Sequence, residues 1–216
     1  MLAFLHTSHV HVGTFGLLLQ QLDASVPVRH VVREDLLAVA LARGSGSEFV
    51  RAAVAGALRE LAHGGAKVIV CTCSTIGGLV EATALPACEV MRIDRPVAEH
   101  AVSTGRRIVL VAALPTALEQ TLALVRQVAA DAERSPEIVE LLCRQAWALF
   151  ENGDLPGYIA AVAKVVGSTA RSGDLVLLAQ ASMAPVEQLV GSPDISVFSS
   201  PTLGVKAAIA AYRRSG

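Results

Sequence analysis

Lys67-Val68-Ile69-Val70-Cys71-Thr72-Cys73-Ser74-Thr75-Ile76-Gly77-Gly78 is the stretch on which the fold turns. Its apolar opening has no polar alternation, so it reads as a strand buried on both faces, the habit of a parallel sheet. The strand ends in a thiol, and a helical stretch is predicted to begin at Leu79-Val80-Glu81, after the two glycines. A thiol at that junction feels the positive end of a helix, which lowers its pKa toward a usable thiolate. The backbone N–H groups and hydroxyls of Ser74 and Thr75 are placed to hold a carboxylate beside the sulfur. A base and an anion cradle within a few residues point to chemistry next to a carboxylate.

Outward from this segment, short apolar runs alternate with helical patterns. Strands are predicted at 2–5, 28–32, 68–72, 89–93, 108–112, 138–142, 175–179 and 195–198, and helices at 12–22, 34–42, 48–62, 116–130, 156–166 and 203–212. The clearest helix puts Val50, Val54, Ala57, Leu58 and Leu61 on one face, with Ser47 as its cap and Gly64-Gly65 as its stop. This alternation predicts an α/β fold with parallel sheets covered by helices. Asp94-Arg95-Pro96 breaks the pattern, and a fresh strand–helix series starts at Ile108. Two similar lobes are therefore expected, 1–95 plus 196–216 and 96–195, with a ligand cleft between them at the C-terminal ends of the strands.

Composition narrows the function. Of 216 residues, 53% are hydrophobic and 17% charged, so the chain has a large core; aromatics are only 4%, so Ala, Val, Leu and Ile build it. Lys plus Arg is 18 against 19 for Asp plus Glu, and no basic patch interleaves with aromatics, which excludes nucleic acid as a partner. The apolar run from Ile108 to Leu118 contains Pro115 and is too short for a bilayer, so no membrane role is expected. The four cysteines form neither a disulfide framework nor a Cys-x-x-Cys motif, and free thiols suit the cytoplasm. The high apolar fraction is compatible with a homodimer. No Gly-x-Gly-x-x-Gly follows the first strand, and no nicotinamide, flavin or pyridoxal phosphate cofactor is expected.

Four segments in register resemble the aspartate/glutamate/hydantoin racemase superfamily. Cys73-Ser74-Thr75 resembles its Cys-Asn-Thr, with Ser in place of Asn. Leu178-Ala179-Gln180-Ala181-Ser182-Met183-Ala184 is similar to its second cysteine motif, with Gln180 where the cysteine would stand. Ala113-Leu114-Pro115-Thr116 resembles a Thr-x-x-Thr segment that keeps only the second Thr, and His6-Thr7-Ser8 takes the place of the polar loop after the first strand. The resemblance implies a pseudo-symmetric two-lobed fold and a cofactor-independent reaction at the carbon next to a carboxylate, by proton transfer, isomerisation or decarboxylation. It implies Cys73 as the catalytic thiol, and Thr7, Ser8, Ser74, Thr75, Thr116, Gln180, Ala181 and Ser182 as contacts of a small carboxylate. Gln180 has no proton to give at neutral pH, so a two-base racemisation needs another acid. His6 is the candidate, being nearest the strand end.

Two other readings stand beside this one. The cleft of a non-catalytic carboxylate-binding protein would look the same. His6, His9 and His11 form His-x-x-His-x-His, which a metal-dependent hydrolase could use, although the spacing fits no common zinc motif and no metal is expected.

Overall fold

The computed structural model describes residues 1–190 and 192–215. The chain divides into two compact units, 1–95 with 201–216, and 96–200.

The first unit runs β1 (Leu2–His6), α1 (Val10–Asp23), β2 (Val28–Val32), α2 (Glu34–Arg43), α3 (Glu48–His63), β3 (Val68–Cys71), α4 (Ser74–Glu81) and β4 (Glu89–Arg92). Its strands form a four-stranded parallel sheet in the order β2-β1-β3-β4. Side chains alternate between the faces. Ala3, Leu5, Ile69 and Cys71 share one face with Leu36, Val54, Leu58 and Ile76 of α2, α3 and α4. Phe4 and His6 take the other face, where Phe15 of α1 packs. Ser47 caps α3 as expected, its hydroxyl accepting from Val50 N.

The second unit contains α5 (Arg95–Thr104, from Pro96 on), β5 (Arg107–Ala112), α6 (Pro115–Asp131), β6 (Glu137–Leu142), α7 (Arg144–Glu151), α8 (Leu155–Thr169), β7 (Leu175–Leu178), a single 3-10 turn (Ala181–Met183), α9 (Val186–Val190) and β8 (Ser196–Ser199). Its parallel sheet has the order β6-β5-β7-β8. Val109, Val111, Val176 and Leu178 meet Tyr158, Val162 and Val166 of α8 in its core. The last helix, α10 (Ser200–Arg214), packs from Pro201 onward with the first unit. Gly204 lets it approach: a Cβ there would lie 2.5 Å from the Ile93 carbonyl oxygen.

Two expectations change. Residues 196–199 were assigned to the first lobe, but β8 pairs with β7 in the second sheet, so the division falls after Ser200. Ladder hydrogen bonds, invisible in composition, decide that membership. Helix α4 begins at Ser74 rather than Leu79. Gly77 is therefore an interior helical residue, and a Cβ on it would sit 3.2–3.3 Å from the Arg92 side chain. It is small because an arginine lies against it, not because the chain turns there. The two similar lobes expected from the sequence are present: the two sheets repeat one strand order, β2-β1-β3-β4 and β6-β5-β7-β8.

Candidate functional site

The repeat makes the loops after β3 and β7 equivalent. Cys73 lies two residues past the end of β3, and Gln180 two residues past the end of β7. Each precedes a helical turn in extended backbone, with φ, ψ of −103°, 113° at Cys73 and −115°, 133° at Gln180. One loop presents a thiol and the other a carboxamide.

In the first unit, Cys73 is half-buried and packs against the core under α4. The hydroxyls of Thr7 and Thr75 and the backbone N–H groups of Thr75 and Ile76 lie within hydrogen-bonding reach of its sulfur. Thr7, Ser74 and Thr75 are themselves buried, while Ser8 is half-exposed. The sequence predicts a thiol with a depressed pKa, and here the structure disagrees. Burial pushes the Cys73 thiol up and outweighs the four hydrogen bonds that pull it down. In the free protein Cys73 is a protonated thiol, able to give a proton. Cys71, on the same sheet face, is fully buried and its thiol is pushed up as well, by burial first.

His6 occupies a different place from the one expected. It is 0% exposed and lies on the opposite face of the sheet from Cys71 and Cys73. Both ring nitrogens are engaged, Nδ1 with Thr72 Oγ1 at 2.9 Å and Nε2 with His30 Nδ1 at 2.9 Å. Its ring stacks on His30 at 5.2 Å between centroids and lies 5.7 Å from Phe15. Burial, then the neighbouring His30 and His11, bring its pKa down from 6.5 to about 3. This imidazole is neutral and fully bonded, which leaves it no free nitrogen for substrate. His11 is half-buried against Phe15, with a pKa brought down to about 4 by burial, and His9 is exposed just before α1. Among the described residues, no three His, Cys, Asp or Glu side chains converge as metal ligands.

Sequence reasoning missed Arg92 and the partners of His6. Arg92, at the end of β4, is 4% exposed and bonds Asp94, itself 2% exposed, through Nε and Nη2 at 2.7 and 2.9 Å. The pair supports α4 at Gly77, the helix that carries the Cys73 loop. Arg95 pairs with Glu81 at the other end of α4. In sequence Arg92 reads as part of a strand and Asp94 as the start of the break Asp94-Arg95-Pro96; only the buried pairing reveals their use.

In the second unit, Gln180 is buried and its Oε1 accepts from the backbone N–H groups of Ala113 and Leu114 at 2.7 and 3.1 Å. Leu114 is the N-cap residue of α6, so the carboxamide oxygen caps a helix whose own cap side chain has no polar atom. Ala181 is buried, Thr116 and Ser182 are half-buried, and Ser182 Oγ bonds Tyr158 Oη at 3.0 Å. Replacing Gln180 by alanine strands two buried N–H groups. We expect a loss of roughly 1–3 kcal/mol for the unsatisfied donors, read as a lower urea midpoint. Gln180→Glu, which keeps the acceptor, should lose less.

Among the described residues, no helix is long and apolar enough to cross a membrane. Neither a protein-family model nor the sequence of a curated protein matches the chain. Solved structures do. Glutamate racemase RacE1 from Bacillus anthracis superposes with a TM-score of 0.73 at 13% identity, over 100% of this chain and 82% of that one. The aspartate racemase of Picrophilus torridus gives 0.71 at 16% identity, over 98% and 94%. Allantoin racemase from Pseudomonas fluorescens gives 0.57 at 15% identity, over 99% and 91%. With the doubled strand order and the equivalent loops after β3 and β7, these likenesses establish that the chain has the fold of the glutamate, aspartate and allantoin racemases.

Proposed function

We propose that this chain is a cofactor-independent enzyme of the racemase superfamily that transfers a proton at the carbon next to a carboxylate, with Cys73 as its reacting thiol. The observation that carries the reading is the Cys73 sulfur among the Thr7 and Thr75 hydroxyls and the N–H groups at the start of α4. Such a donor-rich loop suits a carboxylate, and the hydroxyls of Thr7, Ser8, Ser74 and Thr75 are its proposed contacts. Because the thiol pKa is raised, the small thiolate fraction of Cys73 removes the α-proton, and the thiol so formed returns a proton to the enolate-like carbon on the same face, so that Cys73 is base and acid in turn. The equivalent residue of the second unit is a capping carboxamide, which has no proton to give at neutral pH, and we expect racemisation to be slight or absent. One-faced exchange, isomerisation and decarboxylation remain as reaction classes.

The test is exchange of α-hydrogens for deuterium across small amino, hydroxy and aryl carboxylates and malonates. Wild type should exchange with retained configuration. Cys73→Ala should lose about 10²–10⁴-fold, the usual worth of a positioned acid or base, while keeping a ligand-induced rise in melting temperature. Undiminished exchange in Cys73→Ala would remove the thiol from the mechanism. A second reading, a non-catalytic carboxylate binder, draws support from that same burial of the thiol. It predicts the thermal shift without exchange in either protein.

A further inference from the structure

We propose that His6 is a positioning residue, whose bond to Thr72 aligns Thr7 with the sulfur of Cys73. Backbone pairing between β1 and β3 ends at Leu5 opposite Cys71, with one further bond from Thr72 N to Leu5 O at 3.0 Å. Beyond that point β1 and β3 no longer pair; His6 stays in the sheet opposite Val32 of β2, and the residues that matter, Thr7 and Cys73, follow His6 and Thr72. The His6–Thr72 bond spans the two chains one residue before each of them. It extends the strand pairing by a side-chain rung. His30, on β2, bonds the far nitrogen, so the link runs across three adjacent strands in the order β2-β1-β3. Phe4 and Phe15 hold the ring's plane from the sides, and the His6 carbonyl accepts from Arg33 N at 2.8 Å. An apolar residue would fill this space equally well. A buried imidazole is favourable only if its polar atoms are used, and here both are.

The consequence is measurable on the thiol itself. Thr7 is one of the groups that lower the Cys73 pKa, so a displaced Thr7 leaves the thiol more firmly protonated. The experiment follows iodoacetamide alkylation of the full-length chain against pH, resolved to single cysteines by peptide mass spectrometry. Buried Cys71 serves as the reporter of an intact fold. Thr7→Val should slow Cys73 alkylation at pH 7 on the order of five-fold, the worth of one ordinary hydrogen bond, and move the profile to higher pH. His6→Ala should do the same, and His6→Ala/Thr7→Val no more than either alone, because both remove one interaction. His6→Asn, whose amide can replace Nδ1 toward Thr72, should restore the wild-type profile. His6→Gln, which reaches toward His30 instead, should behave like Thr7→Val. If His6→Ala exposes Cys71, the Asn and Gln variants decide alone. An unchanged Cys73 profile in a folded His6 variant, additive shifts in the double variant, or indistinguishable Asn and Gln variants would each overturn the proposal. It rests on Cys73 as the reacting thiol, but labelling needs no substrate. A Cys73→Ala protein that kept its turnover would therefore remove the proposed function and leave the coupling of His6 to Thr7 standing.

Discussion

Asp94→Asn is expected to lower stability by roughly 3–5 kcal/mol, the usual penalty for stripping the partner from a buried charge. Asp94 takes both Nε and Nη2 of an Arg92 that is 4% exposed, so a neutral amide leaves the guanidinium in the core without its carboxylate. Glu81 also lies near enough to favour the charged arginine, but it is already engaged by Arg95. The guanidinium packs against Gly77, so its rearrangement should disturb α4 and the Cys73 loop as well. The contrast that separates charge from packing is Arg92→Met/Asp94→Leu. Replacing both partners by apolar residues of similar size should recover most of the loss, since neither charge is then buried. The measurement is urea denaturation followed by circular dichroism. An Asp94→Asn midpoint equal to wild type would mean that the pair contributes nothing to the fold.

Acidification should bring the second large change. His6 has a folded pKa of about 3 against 6.5 when unfolded, because burial, His30 and His11 all oppose its charging. A base with a depressed pKa binds fewer protons folded than unfolded. Its contribution is therefore fully present above pH 6.5 and is lost as the pH falls toward 3. At pH 4, His6 alone should cost the fold on the order of 3 kcal/mol. His11, brought down to about 4, acts in the same direction, and so does His30 across the 2.9 Å contact. The urea midpoint of wild type should fall steeply from pH 6.5 to 4. His6→Asn, lower at pH 7 but without that titration, should fall less. Parallel pH profiles for the two proteins would place the acid sensitivity elsewhere.

The segment from Lys67 to Thr75 was readable because its physics is local. Val68-Ile69-Val70 has no polar alternation, and a strand buried on both faces follows from that alone. The period of two also places His6 and Thr72 on one face and Cys71 and Cys73 on the other, once the β1–β3 register is known. Without the register, His6 reads as a free loop histidine, which is why its role changed. Gly77 reads as a breaker because its purpose, room for Arg92, comes from a strand fifteen residues away. Gln180 stands out in sequence only for the cysteine it is not. What it does, capping α6 through the N–H groups of Ala113 and Leu114, depends on residues 66 and 67 positions distant.

The sequence by itself determined the α/β alternation, the parallel strands, the position of the break near residue 95 and the thiol at a strand end. Each is a short-range consequence of apolar period, capping and breaker residues. Tertiary structure decided which sheet received β8, that Arg92 and Asp94 would be buried together, and that His6 would be bonded at both nitrogens. It also decided the protonation of Cys73, since the helix end that lowers a thiol's pKa is read from the chain, while the burial that raises it comes only from the packing around it.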